Sequence, residues 1–321
     1  MEEAKVEEVK DGKSTAEAQP QVVVETQPTP ERSTLKVKAR GPEDEVVYLN
    51  TLIHGNSGTG KTRFAGTMVE AGLKTLFIVF NEDELLTLDR AKVTGYDYLV
   101  IRDYEKQLWP LYLALRKNQP HYEGVVLDGL GDFQQAAKDY ELAGDDRVGA
   151  KFMEAAMKGE RRMFLANWGN LLEMTRHFID PFLKLPFHKI VTCVSEVDED
   201  PTTGKAKIYP ALQGSLQQLI AAHFSVVGYT YIAHRGSDTH YCLTTQPHEA
   251  ISTKDRTGLC RVLVNPKFKS FMGSLRGNPP PSTDLEQKLS KQLVLRIRST
   301  APQVQVASDK EKEERSKASD S

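Results

Sequence analysis

The sequence predicts an α/β fold: a mainly parallel sheet with helices on both faces and an antiparallel C-terminal extension. Three observations point there. Apolar β-rich runs alternate with helix-period runs from residue 46 to 194, short strands follow one another after Gly214, and a glycine-rich loop joins the first strand to the first helix.

The strand Val46–Ile53 feeds that loop, and Lys61–Ala71 reads as a helix stopped by Gly72. Thr75–Phe80 is a strand, a helical pattern starts near Glu84, and Tyr98–Ile101 is the next strand. Glu105–Asn118 is helical, Gly124–Leu127 is a buried strand, Arg161–Leu185 is a long helical region, and Lys189–Val194 is a further strand. Val226–Ala233, His240–Gln246 and Gly258–Val264 form the antiparallel extension. Residues 1–42, rich in Pro, Gln, Thr and Glu, are expected to be a disordered tail, and 43–276 the folded core. Residues 277–321 are expected to be mostly disordered, with Asp284–Ser299 open to a short helix (Leu285, Leu289, Leu293) or a strand (Leu293, Leu295, Ile297).

Composition narrows the function. The 321 residues carry 42 basic and 44 acidic side chains, so nucleic acid could be met only by a local patch. No apolar run is long enough for a membrane span, and the N-terminus lacks a secretory pattern. Cys193, Cys242 and Cys260 are too few and too scattered for a disulfide framework or a metal site. They read as free thiols of a reducing compartment, and a cytoplasmic protein is expected.

The loop Gly55-Asn56-Ser57-Gly58-Thr59-Gly60-Lys61-Thr62 fits G-x-x-x-x-G-K-[ST]. Its glycines let backbone N–H groups turn toward phosphate oxygens, Lys61 reaches the β- and γ-phosphates, and the Thr62 hydroxyl is a Mg²⁺ ligand. ATP and Mg²⁺ are therefore the expected ligands. A metal site of this kind needs a carboxylate at the end of a neighbouring apolar strand. Gly124-Val125-Val126-Leu127-Asp128 supplies Asp128, with Asp132 as a weaker substitute. Hydrolysis also needs a group to orient the attacking water. The cluster Asn81-Glu82-Asp83-Glu84, at the end of the strand after the phosphate-loop helix, offers Glu82 as the base and Glu84 next.

Taken together these motifs resemble the RecA-like P-loop ATPases, and particularly the phage single-strand annealing and recombination ATPases of the Sak type, grouped with AAA-type phage proteins. The resemblance covers about residues 46–270. It implies that KIVTCVSE (189–196) is the strand ending in a γ-phosphate sensor, with Ser195 or Glu196 in the sensing position, and that 208–224 is the stretch following it. It further implies that Lys254 and Arg256 of Ser252-Thr253-Lys254-Asp255-Arg256 form a K-x-R element reaching a neighbouring subunit's nucleotide. Two departures stand out: FNEDE replaces a simpler Asp-x-Glu, and 141–165 is a long charged segment.

The resemblance implies an ATPase acting on single-stranded DNA in phage recombination, annealing or replication, self-associated into a ring or filament in the host cytoplasm. DNA would meet loops at 141–162 and 198–212. The second carries Lys205, Lys207 and Tyr209 for phosphates and base stacking, against Glu199 and Asp200. The tails would recruit a single-strand-binding or replication protein. The competing readings are a small-molecule kinase, a packaging or helicase-type motor, and a nucleotide-gated scaffold without turnover.

Overall fold

The computed structural model describes residues 48–117, 121–144, 165–199 and 205–300. The expected tail 1–42, residues 301–321 of the expected tail 277–321, positions 145–162 of the charged segment and residues 200–204 of the 198–212 loop lie outside the described residues.

The parallel part of the sheet is built from β1 (Asn50–Gly55), β2 (Thr75–Val79), β3 (Asp97–Val100), β4 (Gly124–Asp128), β5 (His188–Cys193) and β8 (Val226–Arg235). A hairpin of β6 (Ser195–Glu199) and β7 (Ala206–Pro210) stands apart as its own two-stranded sheet. β9 (Asp238–Thr244), β10 (Lys254–Asp255) and β11 (Val262–Val264) complete the main sheet by antiparallel pairing. The strand order is β11-β9-β8-β1-β5-β4-β2-β3, so β5 lies between the phosphate-loop strand and the strand that ends in Asp128. The expected fold class holds, with antiparallel strands toward the C-terminus, but Val226–Ala233, expected in the antiparallel extension, lies in β8, which extends the parallel sheet beside β1 and turns antiparallel only toward β9 and β10.

Side-chain alternation explains the two-faced core. Leu52, Leu76, Ile78, Val125, Leu127 and Val191 point to one face. There they meet α3 (Tyr104–Arg116), α4 (Leu130–Gly144), α5 (Leu165–Leu183) and α6 (Leu216–His223). Ile53, Phe77, Val79, Val126 and Ile190 point to the other, against α1 (Lys61–Glu70), α2 (Leu86–Arg90) and α7 (Phe268–Leu275). Central strands buried on both faces read as continuous apolar runs in the sequence.

Residues 284–300 take the helical alternative as α8 (Asp284–Thr300). It opens with a capping box: Thr283 Oγ1 accepts from Glu286 N, and Glu286 Oε2 accepts from Thr283 N. Leu285, Leu289 and Leu293 pack on Cys242, Ile251 and Val262, and Glu286 Oε1 accepts the N–H of Val264 on the edge strand β11. The ordered structure therefore runs past 276, where the sequence placed the end of the core. No helix among the described residues is long and apolar enough to cross a membrane.

Candidate functional site

Parallel pairing brings the C-terminal ends of the strands to one edge. Gly55 lies level with Thr230, Ile53 with Thr192, and Val79 with Asp128. Open α/β sheets bind ligands at such an edge.

The phosphate loop occupies it. Gly58 (φ 75°) and Gly60 (φ 95°) are left-handed, and at Gly58 a Cβ would meet nothing within 4 Å, so backbone conformation alone calls for glycine there. Gly60 caps α1 without any side-chain hydrogen bond, which leaves the first N–H groups of the helix to an anion. Thr59 Oγ1 is tied to Asn56 O and Thr230 Oγ1, fixing the loop to β8. Lys61 Nζ folds back onto Gly55 O and Asn56 O, each at 2.9 Å. Burial lowers its pKa, opposed by the nearby Asp128 carboxylate.

Asp128 is buried at the end of β4. Thr62 donates to its Oδ2 at 2.7 Å, and Thr192 of β5 donates to its Oδ1. Burial raises its pKa, while those two hydroxyls and Lys61 pull the other way. The donor set fits Mg²⁺: a hydroxyl at the helix start and a strand-end carboxylate already face each other, both oxygen ligands. Thr192 was not singled out from the sequence; a threonine inside a β-rich run carries no signal until β5 is known to neighbour β4.

The acidic cluster separates on folding. Asn81 accepts from Asp83 N and caps a 3₁₀ turn, Glu82–Leu85, that leads into α2. Glu82 turns outward to an ion pair with Arg102 at 2.7 Å, both side chains mostly exposed. Glu84 turns inward and lines the same cavity as Lys61 and Thr62. Its pKa rises to about 8, chiefly by burial and then by the charges of Asp128 and Asp132, and its Oε2 has no hydrogen-bond partner. The outward ion pair thus holds Glu82 away from the cavity, while Glu84 lines it.

That cavity, about 710 Å³, runs from the phosphate loop past Thr87, Arg90, Thr230, Tyr241, Asn265 and Lys267. The volume suits a nucleotide-sized ligand. The Tyr241 ring stands 3.3 Å from where a Gly60 Cβ would be, another reason for glycine at that position.

The remaining sequence candidates are placed as follows. Ser195 bonds the buried His54 at 2.8 Å, whereas Glu196 is exposed on the hairpin, its pKa raised by burial and by Asp198. Lys254 pairs in register with Val227, at the level of Leu52 and three residues below the Gly55 end of the sheet. Its Nζ donates to Ala221 O and Ala222 O at the C-terminus of α6, and Arg256 beside it is exposed. Neither cation meets this chain's own phosphate loop. Tyr209 is only 5% exposed, with Lys207 Nζ 5.2 Å from its ring centroid, so it offers no open face to a base; Lys205 is exposed. Cys193 and Cys242 are buried free thiols and Cys260 is an exposed one.

A phosphate loop at a helix start, a strand-end carboxylate facing its threonine and a second carboxylate, Glu84, lining the cavity beside the loop define a P-loop nucleotide-hydrolase core. Within that class, the chain belongs to the AAA domain family, whose profile matches residues 48–257. No curated protein matches it. Among solved structures it is similar to a KaiC-like protein from the hyperthermophilic archaeon Pyrococcus horikoshii OT3, at 13% identity and a TM-score of 0.33, covering 68% of this chain and 89% of that one.

Proposed function

We propose that this P-loop ATPase uses Glu84 as the general base and couples turnover to single-stranded DNA engaged at the β6–β7 hairpin, in recombination, annealing or replication of a phage. The observation that carries the reading is the convergence of Lys61, Thr62, Asp128 and Glu84 on one edge of the sheet. The phosphate-loop N–H groups and Lys61 would hold the phosphates, and Thr62 with Asp128 would hold Mg²⁺, which neutralises phosphate charge when bound. Glu84, deprotonated, orients and accepts a proton from water.

The hairpin is the effector surface because it leaves β5 only two residues after Cys193, on the strand whose Thr192 holds Asp128. Lys205 and Lys207 supply phosphate contacts there; Tyr209, being buried, does not stack. In a ring or filament, exposed Arg256 is the cation offered to a neighbour's nucleotide, while Lys254 orders the segment that carries it. The tails would serve a single-strand-binding or replication protein.

A second reading is favoured by the same hairpin. Val197 is 64% exposed and Lys207 lies opposite Asp198 in register, a mixed surface better suited to a protein than to a phosphate chain. One experiment separates the two: ATP turnover with and without single-stranded DNA across a salt series, with mass in solution measured with ATP. Stimulation that weakens with salt supports the DNA reading. Turnover indifferent to DNA at low salt overturns it in favour of the protein surface, and absence of ATP turnover overturns the hydrolase assignment itself.

A further inference from the structure

His54 is fully buried at the next-to-last position of β1, immediately before the phosphate loop. Its Nε2 lies 2.7 Å from the carbonyl oxygen of Ser252 and its Nδ1 lies 2.8 Å from Ser195 Oγ. A carbonyl only accepts, so Nε2 carries the proton and Nδ1 accepts from the Ser195 hydroxyl. One neutral tautomer satisfies both bonds. The neutral form is held by burial, with the Lys61 charge adding to it; the ring pKa falls to about 4.

These two bonds close a loop of contacts. Ser195 begins β6, which is laddered to β7 from Ser195↔Pro210 to Glu199↔Ala206. On β7, Ile208 N donates to Ala250 O and Ser252 N donates to Ile208 O, so the segment that leads to Lys254 and Arg256 lies along the hairpin. Ser252 then returns to His54. The main chain of His54 points the other way: its carbonyl accepts from Thr230 Oγ1, which also bonds Thr59 of the phosphate loop. The next carbonyl, of Gly55, is held by Lys61 Nζ. Phosphate oxygens compete for that ammonium, so nucleotide binding releases the carbonyl adjacent to His54.

We infer that His54 is a positioning residue that passes the state of the phosphate loop to the paired strands Ser195–Glu199 and Ala206–Pro210 and to the 252–256 segment through its paired bonds to Ser195 and Ser252. The inference rests on the reading of this site as an ATPase with the hairpin as its effector surface. It goes further by naming the side chain through which the two communicate. Neither bond touches the nucleotide cavity, so nucleotide affinity and coupling are separable.

The test uses the full-length protein and four forms: wild type, His54→Phe (ring volume without hydrogen bonds), His54→Gln (a donor and an acceptor retained) and Ser195→Ala. For each, the affinity for a fluorescent ATP analogue, kcat and KM for ATP, and amide hydrogen exchange of 195–199 and 206–210 with and without nucleotide are measured. In wild type, nucleotide should change hairpin exchange. In His54→Phe and Ser195→Ala that response should vanish and kcat fall about tenfold at nearly constant KM, while the analogue still binds. His54→Gln should recover part of both. Ser195→Ala serves if His54→Phe does not fold, since it removes a single hydroxyl. A wild-type hairpin insensitive to bound nucleotide, or a Ser195→Ala hairpin that responds as wild type does, overturns the inference while leaving the ATPase assignment intact. A wild type that binds no ATP removes the assignment and the inference together.

Discussion

Two lysines, one at each edge of the central sheet, show how similar chemistry leads to different roles. Lys61, at the phosphate-loop edge, donates to two main-chain carbonyls and lines an open cavity. Lys189, the second residue of β5, lies at the other edge, paired in register with Asn50, and is fully buried. Its Nζ faces Leu183 O, Leu185 O, Phe187 O and Asn50 Oδ1 at 2.5–3.2 Å and so ties the end of α5 and the turn after it to the sheet. Burial lowers both pKa values, that of Lys189 to about 7; four acceptors around one nitrogen favour the charged form that can serve three of them. A buried ammonium is therefore no sign of a site by itself. What distinguishes Lys61 is that its partners can be exchanged for a ligand's oxygens.

The comparison can be broken in several ways. The largest effect is expected at Lys61→Ala: turnover should fall about a thousandfold, with the chemical midpoint of unfolding close to wild type. Turnover like wild type would show that the cavity is not the site. Lys189→Met should do the reverse, destabilising the fold by about 3 kcal/mol in urea titrations because several carbonyls lose their donor, while folded protein retains its turnover. Equal losses of stability in the two variants would erase the distinction.

Glu84→Gln should lower kcat about a hundredfold, whereas Glu82→Gln removes a mostly exposed ion pair worth under about 1 kcal/mol and should leave kcat nearly unchanged. The opposite result would return the base to Glu82. The smallest effect concerns pH. Glu84 has a folded pKa of about 8 against about 4.3 in an unfolded chain. Between those values the native state holds a proton that the unfolded state has lost, so the Glu84 contribution to nucleotide-free stability should decline as pH rises from 5 to 8. Glu84→Gln lacks that contribution, so its Tm should gain a few degrees relative to wild type over the same pH range.

What the sequence revealed follows from how local each signal is. The phosphate loop and Asp128 were legible because spacing along the chain and strand ends define them. The opposite placements of Glu82 and Glu84 were not, since both lie in one 3₁₀ turn and its rotation depends on the Asn81 cap and on Arg102, distant in sequence. Lys254 was visible as a cation two residues from another, yet its bond to the end of α6 spans more than thirty residues. Thr192, His54 and Lys189 acquire meaning only from strand order, which no periodicity encodes. The helix–strand ambiguity of 284–300 ended in a helix because the Thr283–Glu286 box fixes its start and Leu289 finds a buried seat.

That last helix bears on how the domain may be handled and how it could be shortened by evolution. β11 is the outermost strand of the main sheet on its side, three residues long, and α8 lies over it with Leu289 and Leu293 on Val262 and Cys242, Glu286 on the Val264 amide and Ser290 on Gln246. A chain ending at 276 would keep every phosphate-loop residue yet bare an apolar face beside an unpaired strand edge, a template for cross-chain pairing. Cover for that edge thus comes from a segment whose composition resembles a dispensable tail, and a fold that keeps it extends at least through Leu293 of α8.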